Sequence, residues 1–320
     1  MITIDINKLL EEGFSQSEMT AWDECPEAWY RGYAERLYLP GQISWPLLYG
    51  DAAHKNIEYF HREGHRPKEI VMLQIPNDME GMLSAEQEAE LQHWNAVLSA
   101  QMERYFIHYA DDAETLELLL EGTEQVLETV FHGIRLRGKI DMMMKRSTNF
   151  GIMDTKTTSR YSPDILNGWY YKFQFMFYPW LTWRAIGKKI SEFGVDVIVK
   201  PALRLKQNES VESFHARIKA DMIQEPDKYF KRIWLPLVKG SLEVFEETLL
   251  KPKLNRIKTL TNVTQPDILN LLTRNRNTNN CSRIGRTCQF LPLCQNGESE
   301  RFRYRAKEYK HTELDTQTFE

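Results

Sequence analysis

Long hydrophobic runs are missing from this chain of 320 residues. No apolar stretch approaches the ~20 residues that a membrane-spanning helix needs. The N-terminus also lacks the basic-then-apolar order of a secretory signal. A membrane location is therefore not expected, and the cytoplasm is. Charge of one sign is lacking too, with 41 Lys and Arg against 45 Asp and Glu and a net charge of -4. That balance excludes a general polyanion coat, but it leaves room for a local basic groove around an acidic site. Cysteine is scarce, at four residues, which does not suggest a disulfide scaffold in a chain of this size. No internal repeat or low-complexity tract occurs. Aromatics are well represented at 12%, with eight Trp, so a substantial core can be buried in one large domain.

A nucleotide-binding loop is also lacking. Gly133 to Lys139 matches G-x-x-x-x-G-K, but Ile140 stands where Ser or Thr is required, and the segment alternates as a strand instead of opening a helix. No intrinsic ATPase is expected, and helicase motifs are absent.

The stretch from Arg135 to Lys156 carries the chemistry. Leu136, Gly138, Ile140 and Met142 alternate with Arg137, Lys139 and Asp141, the period of a half-buried strand with a carboxylate on its polar face. Ser147, Thr148 and Asn149 supply turn residues. The next strand then sets Asp154 and Lys156 two apart on one side. Asp141, Asp154 and Lys156 thus meet at one end of a hairpin, and two carboxylates beside an ammonium suit a divalent metal and an activated water. A hairpin with a solvated charged face would show the same residues.

The flanking segments read as follows. Ser15 or Ser17 caps a helix carrying Met19 and Trp22, which Cys25-Pro26 interrupts. Trp29, Tyr30 and Tyr33 form an aromatic stripe beyond it. Leu48 to His54 opens another helix, on which Glu58 and His61 share the face of His54 as bystanders. Residues 64–83 read as loop and 84–110 as a long amphipathic helix through Leu91, Trp94, Leu98, Met102 and Phe106. A strand is expected within Leu116 to Phe131, paired with the one through Asp141, and another over Val195 to Lys200. A mostly apolar, buried helix carries Tyr170, Tyr171, Phe173, Gln174, Phe175, Phe177 and Tyr178, and Pro179 should kink or end it. Gln174 and Tyr178, four apart, share a face, and a buried Gln needs partners. Residues 210–240 alternate between helix and loop. Asp227 to Arg232 is a basic-aromatic patch that reads equally as a nucleic-acid track or a solvated helix face. Cys281, Cys288 and Cys294 lie near the end of the chain, after an Asn-rich loop at 275–280.

The D…D-x-K pattern of Asp141, Asp154 and Lys156 resembles the PD-(D/E)XK nuclease superfamily, with Ile140 in the place of that family's Pro. A Ser-led helix ending in Cys25-Pro26, the Gly50…His54 pair, Gln174…Tyr178 and the C-terminal cysteines resemble its RecB-like branch. That branch includes CRISPR-associated exonucleases with an iron–sulfur cluster, and the chain resembles a free-standing, phage-type member. The resemblance implies an α/β fold with a restriction-endonuclease-like core, a small mixed sheet flanked by helices. It implies an N-terminal helical segment over 1–45, a nuclease core over 46–270 with a helical insertion at about 64–115, and a C-terminal cysteine lobe over 271–320.

It further implies a Mg2+- or Mn2+-dependent deoxyribonuclease, exonucleolytic in kind, acting in DNA recombination, repair or phage DNA processing. His54, Asp141, Asp154 and the Thr155 carbonyl would hold the ion, Lys156 would orient or deprotonate a water, and Gln174 and Tyr178 would position Lys156 or the scissile phosphate. Cys25, Cys281, Cys288 and Cys294 would hold a [4Fe–4S] cluster. Cys281 and Cys288 are more widely spaced than the family's usual close pair, and a structural zinc or unligated thiols stand as alternative readings. The partners implied are single-stranded DNA or duplex ends, and a recombination or helicase protein. A DNA-end-binding protein with a vestigial metal site is the alternative function.

Overall fold

The structure is a computed structural model that describes residues 10–76, 79, 81–111, 116–162, 168, 172–261, 275–283, 286–311 and 314. Ser15 caps the first helix, its Oγ accepting from the Glu18 amide at 3.2 Å. This cap sets α1 (Gln16–Glu24) directly after a two-residue strand, β1 (Phe14–Ser15). Cys25 is extended and breaks the helix. Pro26 then opens a short turn, Pro26–Trp29, which continues as a π-helical turn, Tyr30–Ala34. Strand β2 (Leu37–Tyr38) and two long helices follow, α2 (Trp45–Glu63) and α3 (Ala85–His108). Ser84 and Gln87 form a reciprocal capping box at the start of α3. Leu98, Met102 and Phe106 of the expected stripe are buried.

The central sheet contains β1, β3 (Glu117–Phe131), β4 (Ile134–Arg146), β5 (Asn149–Thr158), β6 (Glu192–Val199) and β7 (Phe230–Pro236). β3 runs antiparallel along β4, β1 joins β4 in parallel at Leu136 and Arg137, and β5 pairs antiparallel from Met142 onward. The β4–β5 turn is tight, with Ser147 at φ 58°. β5 and β6 are parallel, and β6 and β7 antiparallel. Parallel neighbours need a crossover, which here contains α4 (Phe173–Ile186). Every residue of β6 is buried, as a central strand covered on both faces requires.

One face of the sheet packs Leu136, Ile140, Ile152 and Val195 against α4 and α1 through Phe177, Trp180, Leu181 and Met19. A second cluster joins Ile198 and Phe230 to α2, α3 and α5 (Val211–Gln224) through Ile57, Tyr105, Phe214 and Ile218. This is a mixed α/β fold with a central mixed sheet flanked by helices, consistent with the expected nuclease core. Beyond α6 (Lys251–Thr261), the C-terminal segment forms a hairpin, β8 (Ser282–Arg283) and β9 (Arg286–Thr287), then α7 (Leu291–Asn296) and β10 (Arg305–Ala306). β10 pairs with β2, and Phe290, Leu293 and Tyr304 pack on Leu37.

Two expectations are corrected. Of the two outcomes expected at Pro179, a kink or an end, the helix does not end: α4 runs through it to Ile186, capped by Gly187 in left-handed backbone. Interior Pro costs about 3 kcal/mol, which burial of Phe175, Phe177, Trp180 and Leu181 at 2% exposure or less outweighs. Residues 210–240 contain a strand, β7, and the patch at 227–232 straddles its start. Asp227 and Lys228 are exposed on a short helical turn, whereas Tyr229 and Phe230 are buried and Arg232 pairs with the fully buried Asp196, so the patch is not one continuous face. Tyr170 and Tyr171 lie outside the described residues. Among the described residues no helix is long and apolar enough to cross a membrane.

Candidate active site

The β4–β5 alternation puts Asp141 on the polar face of β4, where its Oδ2 accepts from the Thr155 amide at 2.8 Å. α2 brings His54 against the same point. Its Nδ1 lies 3.4 Å from Asp141 Oδ2, and its Nε2 is 3.0 Å from the Thr155 carbonyl. Gly50, one turn earlier, faces β5, where a Cβ would meet Thr157 Oγ1 in ordinary contact at 3.4 Å.

A third ligand type arrives from β3. The register of β3 on β4 shifts between Leu118 and Thr123, and Glu124 then stands at φ 51° between partners of Met142 and Ile140. Irregularities of this kind re-aim side chains beside active sites. One ligand atom each from His54, Glu124 and Asp141 falls within 4.8 Å of the others, the one such group of three among the described residues. Lys139 pairs with the Glu124 carboxylate. Sequence reasoning missed Glu124 because the bulge interrupts the alternation it relied on. Gly122, within an otherwise strand-like run, was the available signal.

Asp154 and Lys156 share a strand face, as expected, and their side chains meet at 2.6 Å. Gln174 of α4 donates to the other Asp154 oxygen at 2.9 Å. Asp154 is thus held by Lys156 and Gln174 and stands beside the His54–Glu124–Asp141 group. Tyr178, one turn after Gln174, packs over Gly138 of β4 and lines the groove with Lys156. Glu58 lines that groove too, while His61 points to Tyr105, 3.3 Å from its hydroxyl.

The electrostatics follow from crowded, half-desolvated carboxylates. Burial raises the Asp141 carboxyl above its usual range, with Asp154 adding while His54 and Lys156 oppose. Burial and then Asp141 raise Glu124, and burial and then Glu124 raise Glu58. Burial alone would lower the Lys156 ammonium, but Asp154 and Asp141 outweigh it and raise it. Acidic groups disfavoured in their charged form, facing one imidazole, are a donor set that a divalent cation relieves. The groove above them measures about 2340 Å³, well beyond the ~300–1,000 Å³ of a small-molecule pocket. It fits a polymer.

The four cysteines gather at the opposite end of the N-terminal helices. Cys25 separates α1 from the next helical turn, the Cys288 amide donates to the Cys281 carbonyl at 3.0 Å, and Cys294 lies on α7. None forms a disulfide. Burial raises the Cys288 thiol, and Cys25 and Cys281 add to it. Burial also raises Cys294, with Glu27, Cys288 and Cys25 contributing.

Among curated proteins none matches the chain. A solved structure of a candidate exonuclease from Eubacterium rectale shares 15% identity, over 68% of this chain and 81% of that one, at a TM-score of 0.39. A likeness at that level adds nothing about activity. The model of the PD-(D/E)XK nuclease superfamily matches residues 13–295, and with nearly the whole chain covered, the protein belongs to that superfamily.

Proposed function

We propose that the protein is a Mg2+- or Mn2+-dependent deoxyribonuclease that degrades DNA from its ends. The observation that carries this reading is the convergence of His54, Glu124 and Asp141 on one point beside the Asp154–Lys156 pair. His54, Asp141, Glu124, Asp154 and the Thr155 carbonyl would hold the ion. Imidazole among oxygen donors suits Mn2+ better than Mg2+. When bound, such an ion supplies a water of lowered pKa and a polarised phosphate.

The remaining work falls to the chain itself. The Lys156 ammonium, held against Asp154, donates toward the attacking water and the charge that develops on the phosphate. Gln174 fixes the Asp154 carboxylate and, through it, Lys156. Tyr178 stands on the groove wall, where its ring and hydroxyl limit where a backbone phosphate can sit. Intact Asp141, Asp154 and Lys156 disfavour the alternative of an inactive DNA-end-binding protein.

The cysteine end reads as a [4Fe–4S] site. A tetrahedral thiolate zinc needs sulfur–sulfur separations of about 3.8 Å, from Zn–S bonds of ~2.3 Å. No three of the thiols lie within 4.8 Å of one another among the described residues, yet Cys25 and Cys281 are near enough to raise the Cys288 thiol, and Cys288 and Cys25 the Cys294 thiol. That spread suits a group larger than a single ion. Incubation of anaerobically purified protein with end-labelled DNA tests the function. Progressive release of short labelled products that needs Mn2+ or Mg2+ and stops with chelator is expected. Stable binding with no cleavage under any metal would return the protein to the end-binding reading.

A further inference from the structure

We propose that residues 305–310, beyond the last cysteine, form one bank of the active-site groove and grip a single nucleic-acid strand through Tyr309 and Lys307. The inference rests on the nuclease reading, since the groove is the same one. Lys307, Glu308 and Tyr309 line it together with His54, Asp141 and Lys156.

This bank is held at both ends. Upstream, β10 pairs with β2, the Lys307 amide donates to the Arg36 carbonyl at 2.8 Å, and Arg36 Nη1 donates to the Glu308 carbonyl at 2.5 Å. Downstream, Lys310 and His311 are driven inside, at 6% and 3% exposure. Lys310 Nζ lies 2.8 Å from the fully buried Glu18 and donates to the Gly13 carbonyl at 2.9 Å, and His311 Nε2 stands 3.1 Å from that carbonyl. A buried ion pair contributes little net stability compared with apolar packing. What it contributes here is position, because it pins the chain beside α1 at the rim of the groove.

Between the two anchors the side chains face outward. Tyr309 is 56% exposed. Lys307 is exposed and has no acidic partner among the described residues. An exposed ring beside an unpaired ammonium, in a groove that leads to the reacting centre, is the composition of a base-stacking platform. Inside a duplex each base is already stacked on both faces, whereas every base of an unpaired strand has a face to offer that ring. The occupant is therefore a single strand.

Binding of a fluorescent oligothymidylate of about 12 nucleotides, within the size one such groove covers, is measured by anisotropy in chelator, so that no cleavage intervenes. Tyr309→Ala should weaken it about 5- to 150-fold, the loss of one stacked base, and Tyr309→Trp should restore it. Lys307→Gln should reduce the slope of log K against log salt by about 0.7, the value for one phosphate contact on a single strand. Blunt duplex should bind Tyr309→Ala as it binds the native protein. If Tyr309→Ala, folded by circular dichroism, holds the oligonucleotide as tightly as native protein, or loses duplex equally, the inference falls. Neither result touches metal-dependent cleavage by the native protein, on which the nuclease reading stands separately.

Discussion

Gly138 lies on β4 directly beneath α4, and replacing it with Ala tests how that helix seats Tyr178. Its backbone needs no positive φ, so only space is at issue. A Cβ built there would lie 2.8 Å from Leu181 Cδ2, 3.1 Å from Tyr178 Cε1 and 3.5 Å from Phe177 Cε1. Leu181 and Phe177 are fully buried, so the Leu181 methyl and the Phe177 ring have no open space to move into, and only the half-buried Tyr178 ring can give way toward the groove. Overpacking of this kind costs about 1–3 kcal/mol, and the lower unfolded-state entropy of Ala returns about 0.4–1 kcal/mol. The net expectation is a loss of about 1.3 kcal/mol from the mid-values of these two terms, and at most about 2.6 kcal/mol. In urea denaturation this shifts the midpoint down by roughly 0.4 M, and at most about 0.9 M, at a slope of about 3 kcal/mol/M. Leu181→Ala in the same chain should make the Gly138 change less costly, since the two side chains share the space. A midpoint at or above that of native protein, or strict additivity with Leu181→Ala, would show that α4 does not rest on Gly138.

Other outcomes follow from the same contacts. Glu124→Gln should weaken Mn2+ binding about tenfold or more by calorimetry, since even outer ligands of a metal site are worth that much; an unchanged titration would remove Glu124 from the ligand set. Burial, with Arg232 adding, holds the His61 imidazole down to about 3 from an ordinary 6.5, so the unfolded chain takes up that proton first. Stability should be intact above pH ~6.5 and fall as the pH drops toward 3, and His61→Gln should flatten that fall in urea melts at successive pH values. Anaerobic protein should contain about four irons per chain and be brown. Cys25→Ser should bleach and destabilise it, whereas stoichiometric zinc without iron would favour the zinc reading.

What the sequence disclosed depended on how regular each segment was. The β4–β5 hairpin was legible because Leu136 to Met142 alternates without interruption and Asp154 and Lys156 fall on one strand face. α3 was legible from its stripe through Leu91, Trp94, Leu98, Met102 and Phe106, a local pattern that needs no tertiary information. Glu124 was hidden because its usefulness depends on a register shift, and the partner that creates it lies on another strand. β7 was missed because its residues are mostly half-buried and follow a Pro-led helical turn, so no clean period of two appears. Pro179 misled because local backbone cost was weighed without the burial that overrides it. Asp196 shows the same limit from the other side. It reads as an ordinary polar residue in V-D-V, yet it is fully buried and its Oδ2 takes the Tyr105 hydroxyl at 2.5 Å and Arg232 at 3.4 Å.

The central claim is that the Asp154–Lys156 pair is the reacting centre of a nuclease, and the rate of cleavage by Lys156→Ala tests it most directly. End-labelled DNA is incubated with native protein and with Lys156→Ala at saturating Mn2+, after circular dichroism shows both folded alike. Lys156 is exposed enough, at 30% for its side chain, that its removal should leave the fold in place. The account predicts a cleavage rate at least about 100-fold lower, the least expected from losing a preorganised donor to developing charge. Cleavage by Lys156→Ala at near the native rate would contradict it.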